Sequence, residues 1–356
     1  MTTTMWDCIQ DQPARVGASL ESARVDERFA AVRALLARIG SPRHVMVLAT
    51  GSSSNAVSAM RLHAERVTGV PVTVIEPTLF TQYGTAHADV DLVVAVSQRG
   101  TSSSTLEAAD RIRDMGIPLV VITAVPSSPL AARADAVLDM GIGDEVVLYS
   151  TIGVTATMAT FAVLASEIAA AARRPVDAEL SVDALRRVVD QYPVVLERGL
   201  ALADDRDLVE TARRISVIGS GPNVATAREA ETKIAETCRV PVQGEELEAF
   251  MHGPIFEMQR EHTVLLMDVP GSPAFDRTRQ FARFAARHCD HVATVSTGTS
   301  ADGVIGLDLE VSDLLSPLAL VIPFQMYSWR LSQHRGIDLT VQEFDDFDEA
   351  MKTKVS

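Results

Sequence analysis

The feature that most restricts how this chain can fold is an internal repeat. One apolar run, His44-Val-Met-Val-Leu-Ala-Thr50, ends in Gly51-Ser-Ser-Ser-Asn55, and another, Arg214-Ile-Ser-Val-Ile-Gly219, ends in Ser220-Gly-Pro-Asn223. Gly51 and Gly219 stand 168 residues apart, and a helical pattern begins after each. A short unbroken apolar run fits a strand covered on both faces, the setting of a parallel sheet. Strand, tight turn and helix repeated along each half predict two doubly wound parallel α/β domains. The 356 residues, 47% of them hydrophobic, are enough for two such cores.

The first half offers strands at 44–50, 69–75, 91–96, 118–124 and 136–140. Helices run to about Val67 and Met115, and a long apolar helix follows Ser150-Thr151 to near Arg173. Residues 77–89 read as irregular, and 1–40 as helical with an interruption at Pro13. The second half offers strands at 214–219, 239–243, 262–268, 291–296 and 307–311, with helices to about Thr237 and over 274–288 and 314–334. The expected organisation is a helical segment 1–35, an α/β domain 36–175, a helical connector 176–210, a second α/β domain 211–336 and a tail 337–356.

One stretch stands out chemically. Strand 91–96 runs into Ser97-Gln98-Arg99-Gly100-Thr101-Ser102-Ser103-Ser104-Thr105. Hydroxyls and the free N–H groups of a first helical turn suit an anion's oxygens, and the helix dipole favours its charge. The same stretch also serves as a plain helix cap. In the second half, Glu229, Lys233 and Glu236 share one helix face, and His252 follows at the end of a Glu-rich segment. A carboxylate with a histidine can move protons at neutral pH, while a surface ladder beside a capping histidine has the same spacing.

Several classes are disfavoured. A net charge of -15 argues against nucleic acid. No phosphate-loop lysine motif occurs, and Gly219-Ser-Gly221 meets Val224 where a dinucleotide fingerprint needs glycine, so no cofactor is expected. The eight histidines form no HxH or HxxxH pair, so no metal site is expected. Three scattered cysteines, no leader-like N-terminus and no expected membrane span fit a cytoplasmic protein.

The motifs together resemble the tandem sugar-isomerase (SIS) domains of the isomerase half of glucosamine-6-phosphate synthase. They are also similar to stand-alone deglycases and deaminases of fructosamine or amino-sugar 6-phosphates. Ile9-Gln-Asp-Gln-Pro13 resembles I-x-E-Q-P, Gly51-Ser-Ser the G-T-S loop, and Ser97–Ser102 the S-Q-S-G-E-T loop. Glu145 through Ser150-Thr151 resembles E-x-x-x-A-S-T, and His252-Gly-Pro254 resembles H-G-P. Pro323-Phe-Gln325 with Arg335-Gly-Ile-Asp338 resembles P-x-Q and K-G-x-D, and Lys354-Val-Ser the terminal K-V-T.

The resemblance implies two flavodoxin-like SIS domains, each a five-stranded parallel sheet flanked by helices. It implies a sugar phosphate held by Ser52, Ser53, Ser97, Gln98 and Ser102, with Ser150 contacting the sugar, while the departure at Arg99 either pairs with the phosphate bidentately or blocks the subsite. It makes Glu236, sixteen residues before His252, the proton carrier between C1 and C2, with Lys233 beside it. His252 would assist ring opening, contributed across the interface of a homodimer, and the tail would bring Lys354 (or Lys352) to the active site as an imine-forming lysine. Arg99, where relatives carry serine, Ile152, where the synthase has lysine, and Ala249, where many have glutamate, bear on substrate identity. The chain starts at the isomerase region, so amine release is expected rather than glutamine-dependent synthesis. The expected function is therefore a deglycase or deaminase of an aminated sugar 6-phosphate. A simple aldose–ketose phosphosugar isomerase and a non-catalytic phosphosugar-binding regulator are the alternatives.

Overall fold

The computed structural model describes residues 3–84 and 89–354, and these divide into two units. The first unit gathers Ala14–Val146, Ile152–Arg186 and Gln342–Ser356; the second gathers Met1–Pro13, Val147–Thr151 and Arg187–Val341. Residues 85–88, within the stretch expected to be irregular, and Val355-Ser356 of the terminal match lie outside the described residues.

In the first unit, β1 (Val45–Leu48), β2 (Val72–Ile75), β3 (Leu92–Val96), β4 (Leu119–Thr123) and β5 (Ala136–Asp139) form one parallel sheet in the order β2-β1-β3-β4-β5. The residues of β1, β3 and β4 are all buried, which is why they read as unbroken apolar runs without alternation. The helices are α2 (Ser22–Ile39), which follows α1 (Met5–Ser19), then α3 (Gly51–Thr68), α4 (Pro77–Tyr83), α5 (Ser103–Asp114) and α6 (Ile152–Ala171). One core joins Met46, Leu48, Val93 and Val121 of the strands to Phe80 of α4 and Leu106, Ala109 and Ile112 of α5. On α6 even the hydroxyls of Thr155 and Thr157 turn back to carbonyls of their own helix. By length and composition α6 could cross a membrane, but 89% of its apolar window is buried inside the protein, where α2 and α3 cover it.

The second sheet repeats the first. After α7 (Val182–Asp190), α8 (Tyr192–Ala203) and α9 (Arg206–Glu210) come β6 (Ile215–Gly219), β7 (Val242–Glu246), β8 (Thr263–Asp268), β9 (His291–Ser296) and β10 (Val304–Gly306). They are parallel and ordered β10-β9-β8-β6-β7, the same reversal between first and third strands. The helices α10 (Asn223–Cys238), α11 (Leu247–Met251), α12 (Phe275–Ala285) and α13 (Pro317–His334) complete the unit, and α14 (Phe347–Met351) lies in the tail. Two five-stranded parallel sheets flanked by helices are the architecture the repeat predicts.

Four local readings are corrected. The strand expected at 239–243 is β7, shifted to Val242–Glu246: Arg239 takes a left-handed conformation that closes α10, and the strand's polar Gln243-Gly-Glu-Glu hides it from an apolar search. The strand expected at 307–311 is β10 at Val304–Gly306, because Asp308 at φ +53° breaks the extended run. Within 77–89, Pro77 opens α4 and buries Phe80, under the guanidinium of Arg111 at 5.3 Å. Pro13 lies inside α1 rather than ending it.

The glycine of the strand-to-helix turn is dictated by space. A β-carbon on Gly219 would stand 2.0 Å from the Asn223 carbonyl oxygen. Gly219→Ala must push the first turn of α10 away from β6, at a cost of about 1–3 kcal/mol. Thermal or denaturant unfolding of the variant should show that loss, whereas Gly271→Ala, with no atom within 4 Å of its would-be β-carbon, should be limited to the strain of its positive φ.

Candidate active site

In the first unit β1 and β3 are neighbours whose connecting helices leave in opposite directions, so the turns after them, which open α3 and α5, meet at one carboxyl edge of the sheet. That reversal point is where open α/β sheets bind ligands. Ser52 and Ser53 occupy the first turn of α3, half-buried, and no side chain caps that helix. Ser97, Gln98, Arg99 and Ser102 form the turn into α5, which also lacks a side-chain cap.

The α5 turn is held from several sides. The Ser97 N–H donates to the Ile122 carbonyl at 3.1 Å, and the Gly100 N–H donates to the Ser97 carbonyl at 3.1 Å. The Gln98 carbonyl accepts from Ala124 N–H at 2.9 Å and from Thr123 Oγ1 at 3.0 Å. Gly100 sits at φ +64°, and a β-carbon there would come 2.1 Å from Ser128 Oγ, so only glycine fits. The Gln98 amide donates to Glu145 Oε2 at 2.9 Å. Glu145, 5% exposed, also accepts the N–H groups of Ile152 and Gly153 at 2.9 Å each and thereby caps α6. Gln98 thus orients the turn through its side chain as well as lining it.

The tail closes on the same turn. The Ser103 N–H donates to the Thr353 carbonyl at 3.1 Å, its hydroxyl donates to the Lys352 carbonyl at 2.7 Å, and Ser102 and Lys354 pair as an antiparallel bridge. Lys354 Nζ bonds Asp348 Oδ2 at 2.5 Å, and Thr353 Oγ1 bonds the other oxygen. Those bonds to Lys354 and Thr353, with the nearby charges of Lys354 and Arg99, hold the Asp348 carboxyl below the usual carboxylate range. The structure therefore brings Lys354, Arg99 and Ser102 together, with Lys352 contributing its carbonyl.

In the second unit, Lys233 is 1% exposed and lies between two carboxylates, with Nζ 3.5 Å from Glu229 Oε1 and 2.7 Å from Glu236 Oε1. An ammonium removed from water requires such partners. Glu229 is wholly buried, whereas the Glu236 side chain is 34% exposed, so the outer carboxylate of the trio is the one a ligand can reach. His252 caps α11 and is exposed, with Nδ1 2.7 Å from the Glu248 carbonyl; it makes no hydrogen bond to Glu236. In the same unit Gln12 Nε2 donates to Gln325 Oε1 at 3.0 Å, and Gln325 Nε2 donates to the Thr151 carbonyl at 3.2 Å. The glutamines of Ile9–Pro13 and Pro323–Gln325 thus hold the backbone next to Ser150. The turn after β6 is spent on itself: Asn223 Nδ2 donates to Ser316 Oγ at 2.8 Å, and Thr226 Oγ1 to Asn223 Oδ1 at 3.0 Å.

Sequence reasoning did not single out Glu145, Asp348 or Ser128. Glu145 was visible only as the first letter of a motif whose spacing to Ile152 sets the cap. Asp348 sits in an acidic stretch with nothing to mark it locally. Among the described residues no cluster of histidine, cysteine and carboxylates could hold a metal.

Two five-stranded parallel sheets, each with the same reversal of strand order, define a twice-used doubly wound α/β scaffold, and comparison with known proteins agrees on that fold. Residues 39–167 match the SIS domain. Over 310 residues it is 26% identical to the glutamine–fructose-6-phosphate aminotransferase (isomerizing) of Streptococcus pyogenes serotype M1, covering 86% of this chain and 51% of that protein. The chain thus spans about half the length of the curated relatives it matches. A solved Clostridium difficile protein shares the fold with a TM-score of 0.88 at 20% identity over 99% of both chains. The glucosamine-6-phosphate deaminase of Thermotoga maritima does so with 0.77 at 17% identity over 95% of this chain and 97% of that one.

Asp348→Asn should release the tail from the α5 turn. Hydrogen exchange at neutral pH should rise over 347–354 and at the Ser103 amide, with the β-sheet amides unchanged. Because the tail's own Lys354 and Thr353 lower the Asp348 pKa from 3.8, the folded-back tail is favoured above that value and that contribution is lost as pH falls through the lowered pKa.

Proposed function

We propose that this protein is a sugar-phosphate isomerase-type enzyme that releases an amine from an aminated sugar 6-phosphate. The observation that carries the reading is the Glu229–Lys233–Glu236 trio. A fully buried lysine fixes one carboxylate deep and presents a second, Glu236, at partial exposure. Pure binding of a phosphosugar needs the hydroxyl-lined turns and has no use for a carboxylate braced in this way.

On this reading Ser52, Ser53, Ser97 and Ser102 take the phosphate, together with N–H groups of the first turn of α3. Arg99 adds a planar fork that pairs two phosphate oxygens at once, and Ser150 contacts the sugar. Glu236 removes the proton from C1 of a fructosamine 6-phosphate and returns it to C2. The double bond formed between C1 and nitrogen is an imine; water adds to it, and the amine departs to leave the aldose 6-phosphate. Proton abstraction next to a carbonyl or imine by a positioned carboxylate is ordinary general-base catalysis, worth about 10²–10⁴-fold. Lys233 keeps Glu236 in place. His252, contributed across a homodimer interface, assists ring opening. Lys354 forms an imine with an open-chain ketose once it leaves Asp348, since a lysine attacks only as the free amine. The similarity to the isomerising aminotransferases supports sugar-phosphate chemistry at C1 and C2.

Glu236→Gln should reduce amine release from fructosamine 6-phosphates, or ammonia release from glucosamine 6-phosphate, by at least about 10²-fold while sugar-phosphate binding stays within about twofold. Release of neither, with fructose 6-phosphate still bound, would make the protein a phosphosugar-binding regulator. Turnover unchanged in Glu236→Gln would remove that residue from the mechanism.

A further inference from the structure

The second unit contains a cavity of about 480 Å³ that none of the functional residues above enters. Its lining includes Arg213, Arg239, His334 and Arg335 above an apolar wall of Leu331 and Ile337. The volume falls in the range of small-molecule sites.

Two of its arginines, Arg213 and Arg335, differ from those of this unit that are held in ion pairs. Arg198, Arg206, Arg214, Arg277 and Arg330 each hold a carboxylate within 3.0 Å. The side chains of Arg213 and Arg335 make no hydrogen bond or ion pair with any described residue. A structural explanation is available: α10 and α13 both end here, and basic residues at helix C-termini offset the dipole and cap free carbonyls. Capping, however, requires donation to those carbonyls, and neither guanidinium donates to one. The dipole does not balance the charge either. Two helix C-termini supply about half a negative charge each, and the one lining carboxylate, Glu210, is bonded to Arg206 at 3.0 Å. The guanidiniums of Arg213 and Arg335 alone exceed that sum. The thiol beneath, Cys238, is buried and pushed up to about 12, so it is neutral and supplies no counter-charge to Arg335.

We infer that this cavity is a binding site for an organic phosphate monoester, distinct from the sugar-phosphate site proposed above and independent of that reading. Two uncommitted planar forks match the dianionic head, which accepts paired N–H bonds. The wall of Leu331 and Ile337 calls for an apolar or planar body, on which a guanidinium can also stack. A bare phosphate ion leaves most of the volume empty. A monoester joined to a planar ring system fills it.

The test is equilibrium titration of the full chain with AMP, fructose 6-phosphate and inorganic phosphate at fixed ionic strength. AMP should bind saturably, more tightly than inorganic phosphate and without being displaced by fructose 6-phosphate. Arg213→Glu/Arg335→Glu should weaken AMP binding by at least tenfold and leave fructose 6-phosphate binding unchanged. Arg213→Gln/Arg335→Gln serves the same purpose if charge reversal disturbs folding. The inference is overturned by absence of saturable AMP binding up to millimolar concentration, by AMP affinity unchanged in both double variants, or by competition between AMP and fructose 6-phosphate that Ser102→Ala abolishes.

Discussion

The candidate binding turns of the first unit depend on one constraint of parallel sheets. Consecutive parallel strands must be joined by a crossover, and right-handed crossovers fix on which face each helix lies. When the strand order reverses between β1 and β3, the two neighbouring helices go to opposite faces and a crevice opens at the strands' carboxyl ends. The helices begin there, so their uncapped N–H groups point into it. The sequence needs only small residues in those turns, and it supplies Gly51-Ser-Ser and Gly100-Thr-Ser. The second sheet has the same reversal but fills its first turn with Asn223, Ser316 and Thr226 bonded to one another. One fold, used twice, leaves one turn open and seals the equivalent turn with its own side chains.

The second unit carries its candidate groups on a helix face instead. Burying Lys233 costs solvation, which Glu229 and Glu236 offset together. Removal of either carboxylate withdraws part of the ammonium's compensation, so these residues are tied to the stability of α10 as well as to any reaction. This coupling is common where a structural ion network and a reactive group coincide.

The architecture was largely legible because both sheets consist of buried strands, and burial on both faces writes itself as unbroken Val/Leu/Ile/Ala runs. It was illegible at the margins for the same reason. The edge strands β7 and β10 are half-exposed and polar or short, and α4 is anchored mainly by Phe80. Candidate residues carried by local motifs, such as Ser97–Ser102, could be placed from spacing and resemblance. Glu145 and Asp348 act through partners 47 positions away and through a folded-back tail, respectively, and no local pattern encodes such contacts. The matched glutamines Gln12 and Gln325 were legible as motif letters, yet their bond to each other, 313 positions apart, explains why the letters are there.

The twenty-residue helix α6 has a further consequence. It is apolar on every side through Ala165, before Ser166 and Glu167, and as an isolated segment it would self-associate. Its cover, α2 and α3, precedes it in the chain. During N-to-C synthesis the surfaces that shelter α6 are therefore made before the helix itself, and the first sheet can wait for it as a partly assembled template. A circular permutation that moved residues 22–68 behind α6 would keep every contact and reverse that order, which would make the chain's safety during synthesis a property of its connectivity rather than of its final structure.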